Sequence, residues 1–451
     1  MLAVIACKMS TKLIRKLGRG GTDFPGKVAT KICPDLLGRL SENVKTVIVV
    51  GTNGKTTTCR MLEEGIARSG SACIANRSGA NLTNGITACF AMNSTAGGKC
   101  RAPYAVIECD EAHFRHVTRR MKADVVVITN LFRDQLDRYG DIANTLELLA
   151  EGIKNVPEAI LCINADCSMT STLRERFSNP VCSFGVDVPL YEGEVKEVSD
   201  ALYCPKCGTA YDYDYMTFGH LGGFKCPGCG YSRTAPFAAA EEVLSCDADG
   251  YNIRLRLGDE KTEARVGLPG AYNIYNACAC AAALSALGYE KEVILGAIGD
   301  FKCGFGRMEK FEFGKSDIRM ILVKNPAGCN QVLSYLISGG RPAYFIIGLN
   351  DFPGDGHDVS WIYDVEYERL KENGNCVTGI MVFGTRAGEM ALRLKYAGFD
   401  ESFITVENDL DKVISAAADR EEPVCIMPNY TTMMALRGKI AKRYDLKDFW
   451  E

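Results

Sequence analysis

A chain of 451 residues is longer than one hydrophobic core usually organises, so two or three domains are expected. With 47% apolar and 24% charged residues it has a globular balance, which excludes wholesale disorder. A net charge of −4 supplies no global attraction to nucleic acid, and no apolar run reaches the ~20 residues that would span a bilayer.

The opening stretch MLAVIACKMSTKLIRKLGRGG is expected to form a short amphipathic helix. Leu2, Ile5, Met9, Leu13 and Leu17 share one side, with Lys8, Lys12, Arg15 and Arg19 elsewhere. Its basic residues follow the apolar start and no small-x-small cleavage site appears, so it is not read as a secretory signal. Docking on its own domain is the commoner use of such a helix; contact with an anionic membrane surface is the alternative. The 21 cysteines, in a large chain with no such signal, are expected to be mostly buried thiols in a reducing cytoplasm.

From residue 44 the pattern alternates strand and helix. The run VKTVIVV is followed by a glycine turn and the helical stretch TTCRMLEEGIARSG. Buried-type strands follow at 104–110, 123–130 and 159–166. Continuous apolar strands separated by helices predict a parallel sheet covered on both faces. Residues 187–260 break this rhythm and are expected to form an inserted β-module. Helical periodicity returns at 273–288, and the glycine-rich DFKCGFGRME (300–309) has the content of an interdomain connection. Four further strand runs then start RMILVKN, AYFIIGLND, GIMVFGTRAG and PVCIMPNYT. The organisation expected is 1–43 as an N-terminal helical segment, 44–303 as an ATP-binding domain carrying an insertion at about 200–235, and 304–451 as a C-terminal α/β domain.

Gly51-Thr52-Asn53-Gly54-Lys55-Thr56 lies where a phosphate loop should, after a strand and opening a helix. Backbone N–H groups and the helix N-terminus would cradle phosphates, Lys55 would contact the β and γ groups, and the Thr56 hydroxyl would ligate Mg²⁺. The first glycine of the full motif is replaced by Val49.

Cys204-Pro-Lys-Cys207-Gly and Cys226-Pro-Gly-Cys229-Gly form two Cys-x₂-Cys turns separated by 18 residues. Such turns converge four thiolates on one metal, Zn²⁺ or, with the same donors, iron; a closed Cys₄ set has no open position and predicts a structural role. No Lys/Arg cluster surrounds the ribbon to suggest nucleic acid. The loop GLNDFPGDGHDVSWIYD (348–364) gathers Asp351, Asp355, Asp358 and His357; from composition alone, turn chemistry explains it better than catalysis.

GTNGKTTT resembles the ATP loop of the Mur ligase family, which includes folylpolyglutamate synthetases. Other residues resemble the family in order: Glu108 in VIECDE, the stretch TNLFRDQLDRYG, NADC, Asn276 in YNIYNA and Arg307 in GRMEKF. The resemblance implies an α/β fold. A P-loop central domain with a parallel sheet and the Cys₄ ribbon inserted would precede a Rossmann-like C-terminal domain. It also implies an enzyme that phosphorylates a carboxylate and lets an amine displace the phosphate. Gly51, Thr52, Asn53, Gly54, Lys55, Thr56, Thr57, Asn276 and Arg307 would bind ATP, with Thr56 and Glu108 on Mg²⁺. Two departures put a second metal in doubt: Gln135 replaces a histidine of the family, and no lysine follows DRYG in DIANTLELLA.

Mur ligases that use nucleotide-linked substrates carry about a hundred residues, a typical domain size, before the ATP loop; here about 45 precede it. No Gly-x-Cys-x-Gly elbow of a glutamine amidotransferase occurs. With KNPAG, DGHDVSWIYD, GTRA and PNYT, the whole chain resembles the Mur-ligase-like subunits of lipid II isoglutaminyl synthases. That resemblance implies amidation of the D-glutamate α-carboxylate of the lipid II stem peptide, at the inner face of the cell membrane. The ammonia would come from a GatD-type class I glutaminase in a heterodimer. It also reassigns the acidic loop: Asp358 would complete the partner's catalytic triad. The alternatives are a ligase that adds an amino acid instead of ammonia, and a non-enzymatic module that binds through its zinc ribbon.

Overall fold

The computed structural model describes every residue except 17–22, 78–79, 135–140, 191–199, 248, 302–306, 373–376 and 447–451, and gives only the backbone of Arg15, Lys16 and Arg307. Lys45–Val50 (β1), Cys73–Ala75 (β2), Tyr104–Glu108 (β3), Val125–Ile128 (β4) and Ile160–Ile163 (β5) form one sheet in the order β2-β3-β1-β4-β5. All four pairings are parallel.

Successive side chains of a strand point to opposite faces, so the apolar runs supply two cores. Val47, Val49, Val106, Val125 and Val127 belong to one, and Ile48, Val50, Ile107, Val126 and Ile128 to the other. The helices α1 (Leu2–Lys16), α2 (Asp23–Ile32), α3 (Lys55–Arg68), α4 (Glu111–Thr118) and α5 (Tyr272–Ala286) cover both faces. Residues of α3 and α5 join the first core, and those of α1, α2 and α4 the second. The run Ala277–Leu284 of α5 is wholly buried, and its small side chains let the helix lie close to its neighbours.

The helix expected at the N-terminus forms, yet it docks by its other face. Ala3, Val4, Cys7 and Thr11 are buried, while Leu2, Met9 and Leu13 remain 72%, 67% and 61% exposed. Both sets recur at helical spacing, and the smaller side chains allow the closer approach. Leu17 and Arg19 lie outside the described residues.

The β-module after β5 is larger than the ribbon. Phe184–Val186 (β6), Ala238–Asp247 (β9), Gly250–Leu257 (β10) and Glu260–Val266 (β11) make a four-stranded sheet. Asp212–Phe218 (β7) and Leu221–Lys225 (β8) form a separate antiparallel hairpin. A second sheet collects Arg307–Phe311 (β12), Ile318–Ile321 (β13), Ala343–Gly348 (β14), Val377–Phe383 (β15), Ile404–Val406 (β16) and Val424–Pro428 (β17) in the order β12-β13-β17-β14-β15-β16. Only its β12 edge is antiparallel among the described strands.

Candidate active site

β1 ends at Val50, and the chain must turn sharply to begin α3. Gly51 and Gly54 make that turn at φ +123° and +87°. A Cβ on Gly54 would lie 2.1 Å from Asn276 Oδ1, and one on Gly51 2.4 Å from Thr129 Oγ1. Neither the backbone nor the space admits a side chain. Asn130, just after β4, clamps the turn: its carbonyl accepts the Thr52 N–H at 2.9 Å and its Oδ1 accepts the Asn53 N–H at 2.9 Å. The Thr52 hydroxyl accepts the Phe132 N–H at 3.0 Å.

Lys55 opens α3, only 8% exposed, with Nζ 2.8 Å from Glu111 Oε1 and donating to the Gly51 carbonyl. Burial alone would strip its charge, but the carboxylates of Glu111 and Glu108 outweigh burial and hold the ammonium protonated. The same burial pushes the Glu111 carboxyl up, and Lys55 opposes it. One residue on, the Thr56 hydroxyl donates to Glu108 Oε2 at 2.8 Å. Glu108 ends β3, where Asn76 accepts its N–H at 2.8 Å and donates to its carbonyl at 2.7 Å. An ammonium and a paired hydroxyl and carboxylate thus meet at a helix N-terminus on the carboxyl edge of a parallel sheet, the place where such folds bind ligands.

Beside this cradle an open cleft is lined by Asn53, Thr57 and Asn276 from the first sheet's side. Val323, Asn325 and Gln331 line the opposite side, and Phe218 is also in the wall. The two sides touch. Asn325 donates to Asn53 Oδ1 at 3.0 Å while capping α6 (Pro326–Ser338), and Lys324 pairs with Asp134. Among the described residues, Asn53 Nδ2 in the cleft wall and Asp134 Oδ1 behind the Lys324 pair are buried without a hydrogen-bond partner. We expect Gly54→Ala, by forcing Asn276 away from the loop, to weaken nucleotide binding at least tenfold in calorimetric titration with ADP. Unchanged affinity would contradict the cradle.

The structure therefore brings together Gly51, Thr52, Asn53, Gly54, Lys55, Thr56, Glu108 and Asn276, with Thr57 in the same cleft wall. The side chain of Arg307 and the variant residues Gln135 to Tyr139 lie outside the described residues. Sequence reasoning missed Glu111, Asn130 and Phe218, whose partners lie far along the chain. The Asn-Pro-Ala-Gly run was visible, and an Asn before Pro is a helix-start signal that would have placed Asn325.

The acidic loop does not converge as its spacing suggested. Asp351 accepts from Thr385 at 2.9 Å and Arg386 at 2.8 Å, and Asp355 is buried against Thr431. Both are committed to holding the loop. Asp358 instead has a local partner: it accepts the Ser360 N–H at 2.8 Å, and hydrogen bonds from the Ser360 side chain and backbone hold its carboxyl below the usual range. Half-buried, it stands between exposed His357 and exposed Ser360, and it is not among the residues that line the cleft.

The four ribbon cysteines do meet. Cys204 and Cys229 Sγ are 3.6 Å apart, Cys207 and Cys226 3.4 Å, and all four sulfurs lie within 4.8 Å of one another. A tetrahedral metal with ~2.3 Å bonds to sulfur needs edges of about 3.8 Å, so the site fits one. Gly208 and Gly230, at φ +73° and +75°, close the two turns by donating to the Cys204 and Cys226 carbonyls at 2.9 and 3.0 Å. The hairpin tip beyond them enters the main body: Phe218 stacks on Phe132 with ring centroids 5.7 Å apart, and Thr217 Oγ1 lies 2.7 Å from the Tyr275 hydroxyl.

Residues 49–202 match the model of the Mur ligase middle domain, and residues 322–433 that of the MurT ligase C-terminal domain. The chain is 34% identical, over 98% of its length and 98% of the relative's, to subunit MurT of the glutamine-hydrolysing lipid II isoglutaminyl synthase of Staphylococcus aureus strain COL. The chain belongs to the MurT family of Mur ligases. The MurT subunit of Streptococcus pneumoniae is 31% identical over 98% of the chain and 97% of its own. Among solved structures, a pseudomurein peptide ligase type C from Methanothermus fervidus superposes with a TM-score of 0.65 at 20% identity, covering 89% of this chain and 79% of that one. The MurF ligase of Thermotoga maritima in complex with ADP gives 0.61 at 15% identity, covering 94% and 85%. These structural likenesses carry the fold alone, an α/β Mur ligase fold.

Proposed function

We propose that this MurT-family chain is the ligase subunit that amidates the D-glutamate α-carboxylate of the lipid II stem peptide. It spends ATP on an acyl phosphate and takes ammonia from a glutaminase subunit of the GatD type. The observation that carries the reading is the meeting of Lys55, Thr56 and Glu108 at the N-terminus of α3, beside the cleft. The name of its relatives, a subunit of a glutamine-hydrolysing synthase, supports the partner. We read 1–43, 44–303 and 304–451 as its structural units.

In this reading the adenosine lies in the cleft against Asn276 and Phe218, and Arg307 is the nucleotide-contacting arginine that the family resemblance implies. The phosphates lie over the N–H groups of Asn53 to Thr56. Lys55 leaves Glu111 for the β and γ phosphoryl oxygens, where its charge offsets what builds up as the γ-phosphoryl moves to the carboxylate. Thr56 and Glu108 offer hard oxygen donors suited to Mg²⁺, which would neutralise the transferring phosphoryl group. Ammonia then attacks the acyl carbon and phosphate departs. Lys324 and Asn325, which already bridge the cleft, help exclude water from an intermediate that hydrolysis would waste. Reactions occur in the cytoplasm at the membrane face where the substrate's headgroup lies. The test is product analysis: with ATP and ammonium the stem peptide should gain an amide, and addition of an amino acid instead would favour the alternative ligase.

We assign Zn²⁺ to the Cys₄ site as a structural ion. Because the hairpin it organises also supplies Phe218 to the cleft, metal loss should act in two places. Chelation, or Cys226→Ser, is expected to lower the melting temperature and to weaken ADP binding several-fold. A metal-free protein with both values unchanged would contradict the assignment.

A further inference from the structure

α1 has two apolar faces, and among the described residues only one is buried. Ala3, Val4, Cys7 and Thr11 lock it onto the body, while Leu2, Ile5, Met9 and Leu13, on the opposite face at i, i+3/i+4 spacing, are exposed to solvent. The stripe runs about 16 Å along the helix at the α-helical rise. On the helix packed against it, Phe24 and Ile32 are 58% and 51% exposed. Six large apolar side chains turned outward at one end of a chain with an otherwise ordinary core call for a covering surface.

Charge identifies that surface. The first 34 residues carry seven Lys/Arg against the single acid Asp23, in a chain whose net charge is −4. Among the side chains described, Lys12, Lys27 and Lys31 are exposed beside the apolar stripe, and Lys8 turns inward to the Ser94 carbonyl. Exposed aliphatic residues flanked by lysines, on a helix held parallel to the protein surface, match an anionic bilayer face, where the apolar stripe enters the headgroup boundary and the lysines meet acidic lipids. We infer that α1 and α2 dock this protein on the anionic lipid surface that carries its substrate. The inference rests on the reading above, in which the substrate is lipid-linked.

The test uses the full chain with its glutaminase partner and two vesicle compositions, phosphatidylcholine alone and phosphatidylcholine with phosphatidylglycerol. The complex is expected to sediment with the anionic vesicles only, and less so as salt rises. The double variant Met9→Glu, Leu13→Glu alters only exposed positions and should melt like the parent. It is expected to bind anionic vesicles at least tenfold more weakly and to amidate vesicle-embedded lipid II correspondingly slowly, with activity on detergent-solubilised lipid II unchanged. Equal sedimentation with both vesicle types, or a variant that binds as the parent does, would overturn the inference. So would a variant whose defect is lost assembly with the partner, which would make the stripe a protein interface. If the parent fails to amidate detergent-solubilised lipid II, the proposed function fails instead, whatever the vesicles show.

Discussion

Replacing Lys55 with Ala is expected to abolish ATP-dependent amidation, by at least about 10³-fold, with the complex still assembled. The group is placed by three constraints at once: the start of α3, the Gly51 carbonyl and Glu111 at 2.8 Å. No other described ammonium pairs at the mouth of the Gly51–Gly54 turn apart from Lys324, which is held by Asp134. Loss of Lys55 leaves a buried carboxyl behind, but burial already pushes Glu111 up, so it can take a proton instead of staying as an unpaired charge. The variant should therefore fold, with a lowered melting temperature. Glu111→Gln separates the two roles, since it frees Lys55 for phosphate and should retain most of the activity. Retained amidation in the Lys55 variant would refute the loop as the phosphoryl site.

The second large effect concerns Asp358. Its substitution by Asn keeps shape and removes charge, and glutamine-driven amidation is expected to fall by three to four orders of magnitude, about the scale for losing the orienting acid of a triad. Ammonium-driven amidation should change by no more than about twofold, because Asp358 is not part of the cleft wall. Such a role asks for an accessible carboxylate, and Asp358 is charged and half-buried, tethered to Ser360 among the bonds described, with His357 before it and Ser360 two residues on both exposed. Equal loss with both ammonia sources would sink that role and return the loop to turn chemistry. Glutaminase turnover measured separately on the assembled complex gives the same answer without the ligase step.

What could be foreseen from sequence follows from the range of the interactions. The run KTVIVV next to Gly-Thr-Asn-Gly-Lys-Thr is local information, and it placed β1, the turn and α3 within a residue or two. The two Cys-x₂-Cys turns are likewise local, and their thiols meet as their spacing required. The face by which α1 docks was not legible, since Leu2–Leu13 and Ala3–Thr11 satisfy the same periodicity and only the shape of the receiving surface chooses between them. Nor was the dispersal of the acidic loop, because Asp351 and Asp355 are claimed by Thr385, Arg386 and Thr431, which fold back from other strand ends. The short strands Cys73–Ala75 and Ile404–Val406 carry too few residues to show an alternation of their own. Glu111 was hidden for a related reason. It opens a helix as an ordinary first-turn acid, and only tertiary structure sets it against Lys55.

A heavy-oxygen label shows whether energy gathered at Lys55 is passed to a carboxylate before ammonia arrives. Lipid II carrying the label in the D-glutamate α-carboxylate is incubated with ATP, ammonium and the complex, and the inorganic phosphate and the amidated stem peptide are both analysed by mass spectrometry. One labelled oxygen is expected in phosphate for each amide formed. Amide formed with unlabelled phosphate would contradict it.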